Sequence, residues 1–148
     1  MNMGDAKGQS MEDLLRLAQQ VVQEAEADAE VNPKPDLIQV VVVEPNKKPY
    51  KKTIKNDLDS MKAIVEGWIE ILRLGESETG GQMAITLNEE GKLIPLPLNR
   101  IIIARKHHEI LVGTFFITAY NKQGDNITLQ DGECEKLIKK FTPMEIYL

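Results

Sequence analysis

The sequence predicts an α+β protein, a mixed and mainly antiparallel sheet packed by two helices and preceded by an amphipathic N-terminal helix. Three observations lead there. The main domain opens on a β-branched run, Leu37-Ile38-Gln39-Val40-Val41-Val42-Val43-Glu44, which suits a strand buried on both faces. Strand-like segments then come in pairs separated by single helical stripes, in the order β-β-α-β-β-irregular-β-β-α, without the βαβ alternation of a parallel sheet. A length of 148 residues fits one core with an appendage.

The appendage comes first. Ser10 is a good N-cap, with Asp13 three positions on. Met11, Leu14, Leu15, Ala18, Val21, Val22 and Ala25 then recur at the spacing of one helical face. Val31-Asn32-Pro33-Lys34-Pro35 forces an extended linker, because proline is excluded from a helix interior and disfavours helix just before itself. Residues 1–36 therefore form one unit and 37–148 the other. A lone amphipathic stripe is marginal in water, so Met11 to Val22 are expected to grip a surface: their own domain, a second copy, or a different protein. Without one, this stretch is an acidic disordered tail.

Within the main domain, Pro45-Asn46-Lys47-Lys48-Pro49 is turn chemistry, and Tyr50 to Lys55 returns as a more exposed antiparallel strand. Lysines on it suit an edge guarded against aggregation. Asn56 is expected to cap a helix whose buried stripe is Leu58, Met61, Ile64 and Val65, with Gly67 closing it and Trp68 anchoring the core. Trp68 to Leu74 and Met83 to Leu87 read as strands, flanking a polar loop from Gly75 to Gly81. Asn88-Glu89-Glu90-Gly91 turns the chain with Gly91 at positive φ, and Lys92-Leu93-Ile94 begins the return. Two prolines keep Pro95 to Arg100 from being a regular central strand. Ile110 to Tyr120 and Asn126 to Leu129 are joined by a hairpin turn. A last helix, capped by Asp131, places Cys134, Leu137, Ile138 and Phe141 on one face and ends before Pro143.

Composition excludes several function classes. The net charge of −5 belongs to the extension, where residues 1–36 carry 8 acids and 3 bases, leaving 15 of each beyond. A neutral domain lacks the basic excess of a nucleic-acid binder, so nucleic acid is not an expected partner. Apolar runs fall far short of the roughly 20 residues of a membrane span, and the first residues do not read as a secretory signal. Cys134 is the only cysteine, which rules out an intrachain disulfide and a multi-cysteine zinc site. The cytoplasm is the expected compartment.

Chemistry-bearing constellations are few. His107 and His108 are adjacent, and in a strand they point to opposite faces, so no shared metal is expected. Cys134 reads as a small buried hydrophobe. Phosphate-loop, dinucleotide and nucleophile-elbow motifs are absent from the sequence. No catalytic residue, metal or cofactor is therefore assigned. The most suggestive stretch is Leu96-Pro97-Leu98-Asn99-Arg100, where a stiff segment ends in an amide and a guanidinium suited to carboxylate or phosphate. The opposing structural reading is an arginine that pairs an acid or satisfies loop carbonyls. Gly113 marks a bulge or a close approach, and Thr114 beside it offers a hydroxyl.

The segments Val41 to Tyr50, Asn88 to Leu93, Leu96 to Arg100 and Ile110 to Phe116, in that order, carry a resemblance. Residues of about 37–141 resemble a family of short proteins from phages and mobile elements of Firmicutes, catalogued as a domain of unknown function. The resemblance brings no reaction. It implies a small accessory protein acting inside a bacterial host. Two functions follow as expectations. One is a non-catalytic protein that binds a small anionic, nucleotide-like ligand through Asn99, Arg100, Gly113 and Thr114, counteracting host defence. The alternative is a module that inhibits or recruits a host protein through the N-terminal helix. A hydrolase using His107 or His108 ranks third. Homo-oligomers are a further expected partner class.

Overall fold

A computed structural model describes residues 11, 13–16, 34–77 and 81–148. The chain divides into two units, Met1–Lys34 and Pro35–Leu148. In the first, Met11 and residues 13–16 are helical, and Met11, Leu14 and Leu15 are exposed. Ala18, Val21 and Val22 lie outside the described residues.

The second unit has the α+β content and mainly antiparallel pairing that the sequence predicts. Its larger sheet runs β2-β1-β7-β4-β3. These strands are β1 (Leu37–Val43), β2 (Tyr50–Lys55), β3 (Ile69–Glu76), β4 (Gln82–Asn88) and β7 (Phe115–Tyr120). A two-residue strand, β8 (Asn126–Ile127), adds to β7. The β-branched run is internal as expected, and β2 is an edge. One face packs on α1 (Leu58–Val65) through Ile38, Val40, Val42, Ile54 and Phe116 against Met61 and Val65. The other packs Val41, Val43, Ile85, Phe115 and Ile117 against Cys134, Leu137 and Phe141 of α2 (Asp131–Lys140) and its C-cap. Each such fully buried side chain stabilises by about 1.5–3 kcal/mol.

A second sheet was not legible in the sequence. β5 (Leu98–Ile103) pairs antiparallel with β6 (His108–Val112) and parallel with β9 (Glu145–Tyr147). The expected single strand from Ile110 to Tyr120 is two strands in two sheets. Gly113, at φ 73°, makes the corner between them.

Several local expectations are corrected. Asp57, not Asn56, caps α1, its carboxylate accepting from Ser60 N at 2.7 Å. Asn56 instead donates to Pro35 O at 3.0 Å. Glu66 takes the left-handed position that ends α1. Gly67 is needed for space, because a Cβ there would sit 2.6 Å from Asn88 Nδ2, which donates to Val65 O and Glu66 O. Trp68 is 59% exposed, with Lys62 Nζ 3.6 Å from its ring centroid, so it is no core anchor. Gln130 with Glu133 forms the capping box of α2, leaving Asp131 as its first helical residue. Gly91 is not among the glycines at positive φ. A Cβ there would meet Val112 Cγ2 at 2.8 Å, and Lys92 to Ile94 continue the turn rather than start a strand.

Candidate functional site

Asn99 and Arg100 are consecutive in β5 yet both are buried, with Asn99 0% and Arg100 3% exposed. Neighbours in a regular strand point to opposite faces. The register shift between Leu98 and Arg100 is what lets both turn inward. Asn99 Nδ2 donates to Val43 O at 2.9 Å and to Gly113 O at 2.8 Å. Arg100 Nε donates to Phe141 O at 2.7 Å, and Nη2 to Lys47 O at 2.8 Å. Arg100 Nη1 donates to Asn99 O at 3.0 Å and to Asn99 Oδ1 at 2.8 Å.

The amide and guanidinium thus do not form an outward fork. They tie β1, the β1–β2 loop, the Gly113 corner and the C-cap of α2 to β5. Gly113 is part of the same knot, its N donating to Pro97 O at 2.7 Å. A Cβ at Gly113 would lie 2.6 Å from Leu96 Cδ1, so the glycine serves a close approach within the fold. Thr114 is half-buried beside it.

Arg100 is nevertheless electrostatically unusual. Burial lowers its pKa, and among the described residues no carboxylate pairs with it. An arginine keeps its proton, so a positive charge stands inside the fold with carbonyl and amide oxygens as its acceptors. Such a charge is costly to bury without a counter-charge.

The residues that follow the two carbonyls it joins, Lys48 after Lys47 and Thr142 after Phe141, line a shallow cleft. This cleft holds about 620 Å³ and is lined by Lys48 on one side and by Glu135, Lys136, Ile138, Lys139, Thr142 and Pro143 on the other. Lys48 and Lys139 make no ion pair among the described residues. Lys139 and Lys140 also lie in the last turn of α2, where cations complement the negative end of the helix dipole. Thr142 Oγ1 donates to Ile138 O at 2.6 Å, joining two of the lining residues. In the sequence Lys48 belongs to a turn, and Lys136, Lys139 and Thr142 stand in no motif. The signal was available: Glu135, Lys139 and Thr142 are spaced as one helical face, which the apolar stripe of the same helix overshadowed.

A second cleft of about 320 Å³ lies between β2 and the start of α2, lined by Leu37, Gln39, Thr53, Thr128, Leu129, Gln130 and Asp131. Its charge is already matched. Asp131 Oδ1 accepts from Gln39 Nε2 at 3.0 Å and pairs with Lys51 Nζ at 3.5 Å, which hold its pKa below the ordinary value.

His107 lies in the β5–β6 turn and His108 begins β6, both exposed. Among the described residues no group of three or more His, Cys, Asp or Glu could hold a metal ion. Cys134 is fully buried, and burial pushes its thiol pKa up, away from thiolate chemistry. No helix among the described residues is long and apolar enough to cross a membrane.

The family catalogued as a domain of unknown function, DUF3846, matches residues 38–142, and the chain belongs to it. No curated protein and no solved structure matches the chain.

Proposed function

We propose that the protein is a non-catalytic binder of a small anionic, nucleotide-like ligand, held in the cleft between the β1–β2 loop and the second half of α2. The observation that carries this reading is Arg100, a buried cation with no carboxylate partner among the described residues, which bonds the carbonyls just before Lys48 and Thr142 of that cleft. Its field adds to that of Lys48, Lys136 and Lys139 against Glu135. Lysine ammonium groups hold phosphate as mobile point charges, and Ile138 and Pro143 offer apolar surface to a ring. The cleft's volume falls in the range of small-molecule sites. Asn99, Gly113 and Thr114 then support the site from within instead of touching the ligand. In a mobile-element setting, such a protein would remove a nucleotide signal of host defence.

Calorimetric titration with a panel of linear and cyclic nucleotides at low salt tests this. Binding should weaken as salt rises, and Lys48→Ala with Lys139→Ala should cut affinity by about tenfold or more at an unchanged melting temperature. No binding across the panel, or binding indifferent to the double variant, overturns the reading. A host-protein adaptor is the second reading, favoured by the exposure of Met11, Leu14 and Leu15 on the N-terminal helix. A host protein that co-purifies with the whole chain and is lost in Leu14→Glu with Leu15→Glu would support it.

A further inference from the structure

The two clefts share one helix and one hairpin. Asp131 lines the smaller, and Glu135, Ile138, Lys139 and Thr142 line the larger. These positions recur at spacings of three and four, so they form one face of α2. At 1.5 Å per residue, Asp131 and Lys139 stand about 12 Å apart along it. On the hairpin side, Lys48 lines the larger cleft and Thr53 the smaller. Lys51 comes between these two in the chain and faces the helix, its Nζ 3.5 Å from Asp131 Oδ1.

The two ends differ in chemistry. The larger cleft has the ammonium groups of Lys48, Lys136 and Lys139 against the single carboxylate of Glu135. The smaller is rich in acceptors. Gln39 Nε2 donates to Leu129 O at 2.9 Å and to Asp131 Oδ1 at 3.0 Å. That orientation leaves Gln39 Oε1 without a partner among the described residues, and the same is true of Asp131 Oδ2 and the Thr53 hydroxyl. Leu37 adds exposed apolar surface beside them.

We infer that the two clefts are the ends of one groove, and that its ligand is a nucleoside diphosphate sugar. This rests on the anionic-ligand reading above and specifies the ligand. The base lies on Ile138 and Pro143, the two phosphates along Lys139, Lys48 and Lys51, and the sugar against Gln39, Thr53 and Asp131. The acceptors choose the chemistry of the sugar end. A carboxylate oxygen beside an amide oxygen accepts from neighbouring hydroxyls. A cationic group is disfavoured there, because Lys51 already offsets the charge of Asp131. Length chooses the rest. In a mononucleotide the sugar is bonded directly to its phosphate, too close to reach the far end of the groove. A pyrophosphate carries a second sugar beyond it.

The test is calorimetric titration of the whole chain with two pairs of compounds, UDP with UDP-glucose and ADP with ADP-ribose. The second member of each pair carries less negative charge, so charge alone would make it the weaker binder. In at least one pair the sugar-bearing compound should instead bind about tenfold or more tightly, the mark of a site built for hydroxyls. Thr53→Val and Asp131→Asn should each narrow that gap, with circular dichroism checking that both variants stay folded. A sugar that adds no affinity in either pair overturns the inference. So does a gap that survives both substitutions, or binding confined to nucleotides outside these pairs. Each of those outcomes leaves the anionic-ligand reading standing. No binding by any nucleotide overturns that reading, and the inference with it.

Discussion

Arg100 does at one position what a longer contact surface does elsewhere: its planar donors hold three segments in fixed relation. Lysine has the same charge but a single nitrogen, and cannot reach Phe141 O and Lys47 O together in the geometry that Nε and Nη2 reach. Arg100→Lys is therefore expected to lower stability by about 2–3 kcal/mol, the cost of leaving buried carbonyls unpaired. Urea unfolding would read it as a lower midpoint at an unchanged slope. A shift within about 0.5 kcal/mol, the ordinary surface range, would remove Arg100 as the tie. The sequence pointed to Asn99 and Arg100 as unusual but could not show what they bind, because their acceptors Val43, Phe141 and Lys47 lie 56, 41 and 53 residues away. The misplaced cap of α1 has the same cause. Asn56 and Asp57 are both good caps, and the choice is made by distant bonds from Asn56 to Pro35 O and Asn126 O.

Among elements, the Gly113 corner decides the architecture. Ile110 to Tyr120 alternates and branches like one long strand, and the sequence marks its interruption only with a glycine, which a bulge would also explain. The strands and helices with strong periodicity were legible at close to their observed positions. β9 was not, because three residues, Glu145–Tyr147, carry no measurable period and their pairing with β5 is long-range. Gly113→Ala is expected to destabilise by about 2 kcal/mol or more, since it forces an L side chain to φ 73° and drives Cβ into Leu96. Leu96→Ala in the same chain should relieve the clash and leave the strain. A double-mutant cycle should then show partial recovery. Full additivity would mean that the two side chains do not meet at the corner.

At the scale of the molecule, three carboxylates on separate elements give stability a common dependence on pH. The hydroxyl of Tyr50 donates to Glu44 at 2.7 Å across the β1–β2 hairpin, and this bond, with the charge of Lys47, holds the Glu44 pKa below its ordinary 4.5. Asp57, bonded to Ser60 at the start of α1, and Asp131, bonded to Gln39, both lie below the ordinary 3.8. In this window the folded chain binds fewer protons than the unfolded one. Their contribution is therefore complete above about pH 4.5 and disappears as pH falls through the lowered values. At the other limb, burial first and then the bond to Glu44 push Tyr50 up to about 12, while burial raises Cys134 above its ordinary 9.0. Here the folded chain keeps protons that the unfolded chain releases, so stability should decline once pH exceeds about 9. The urea midpoint should thus form a plateau that falls on both sides. Tyr50→Phe tests both limbs at once. It should flatten part of the decline above pH 10, the ordinary tyrosine value, and also shrink the acid limb, because Glu44 loses its donor. An acid limb unchanged by Tyr50→Phe would show that Asp57 and Asp131 carry it without Glu44. In that case the hairpin would contribute nothing to the acid sensitivity of the fold.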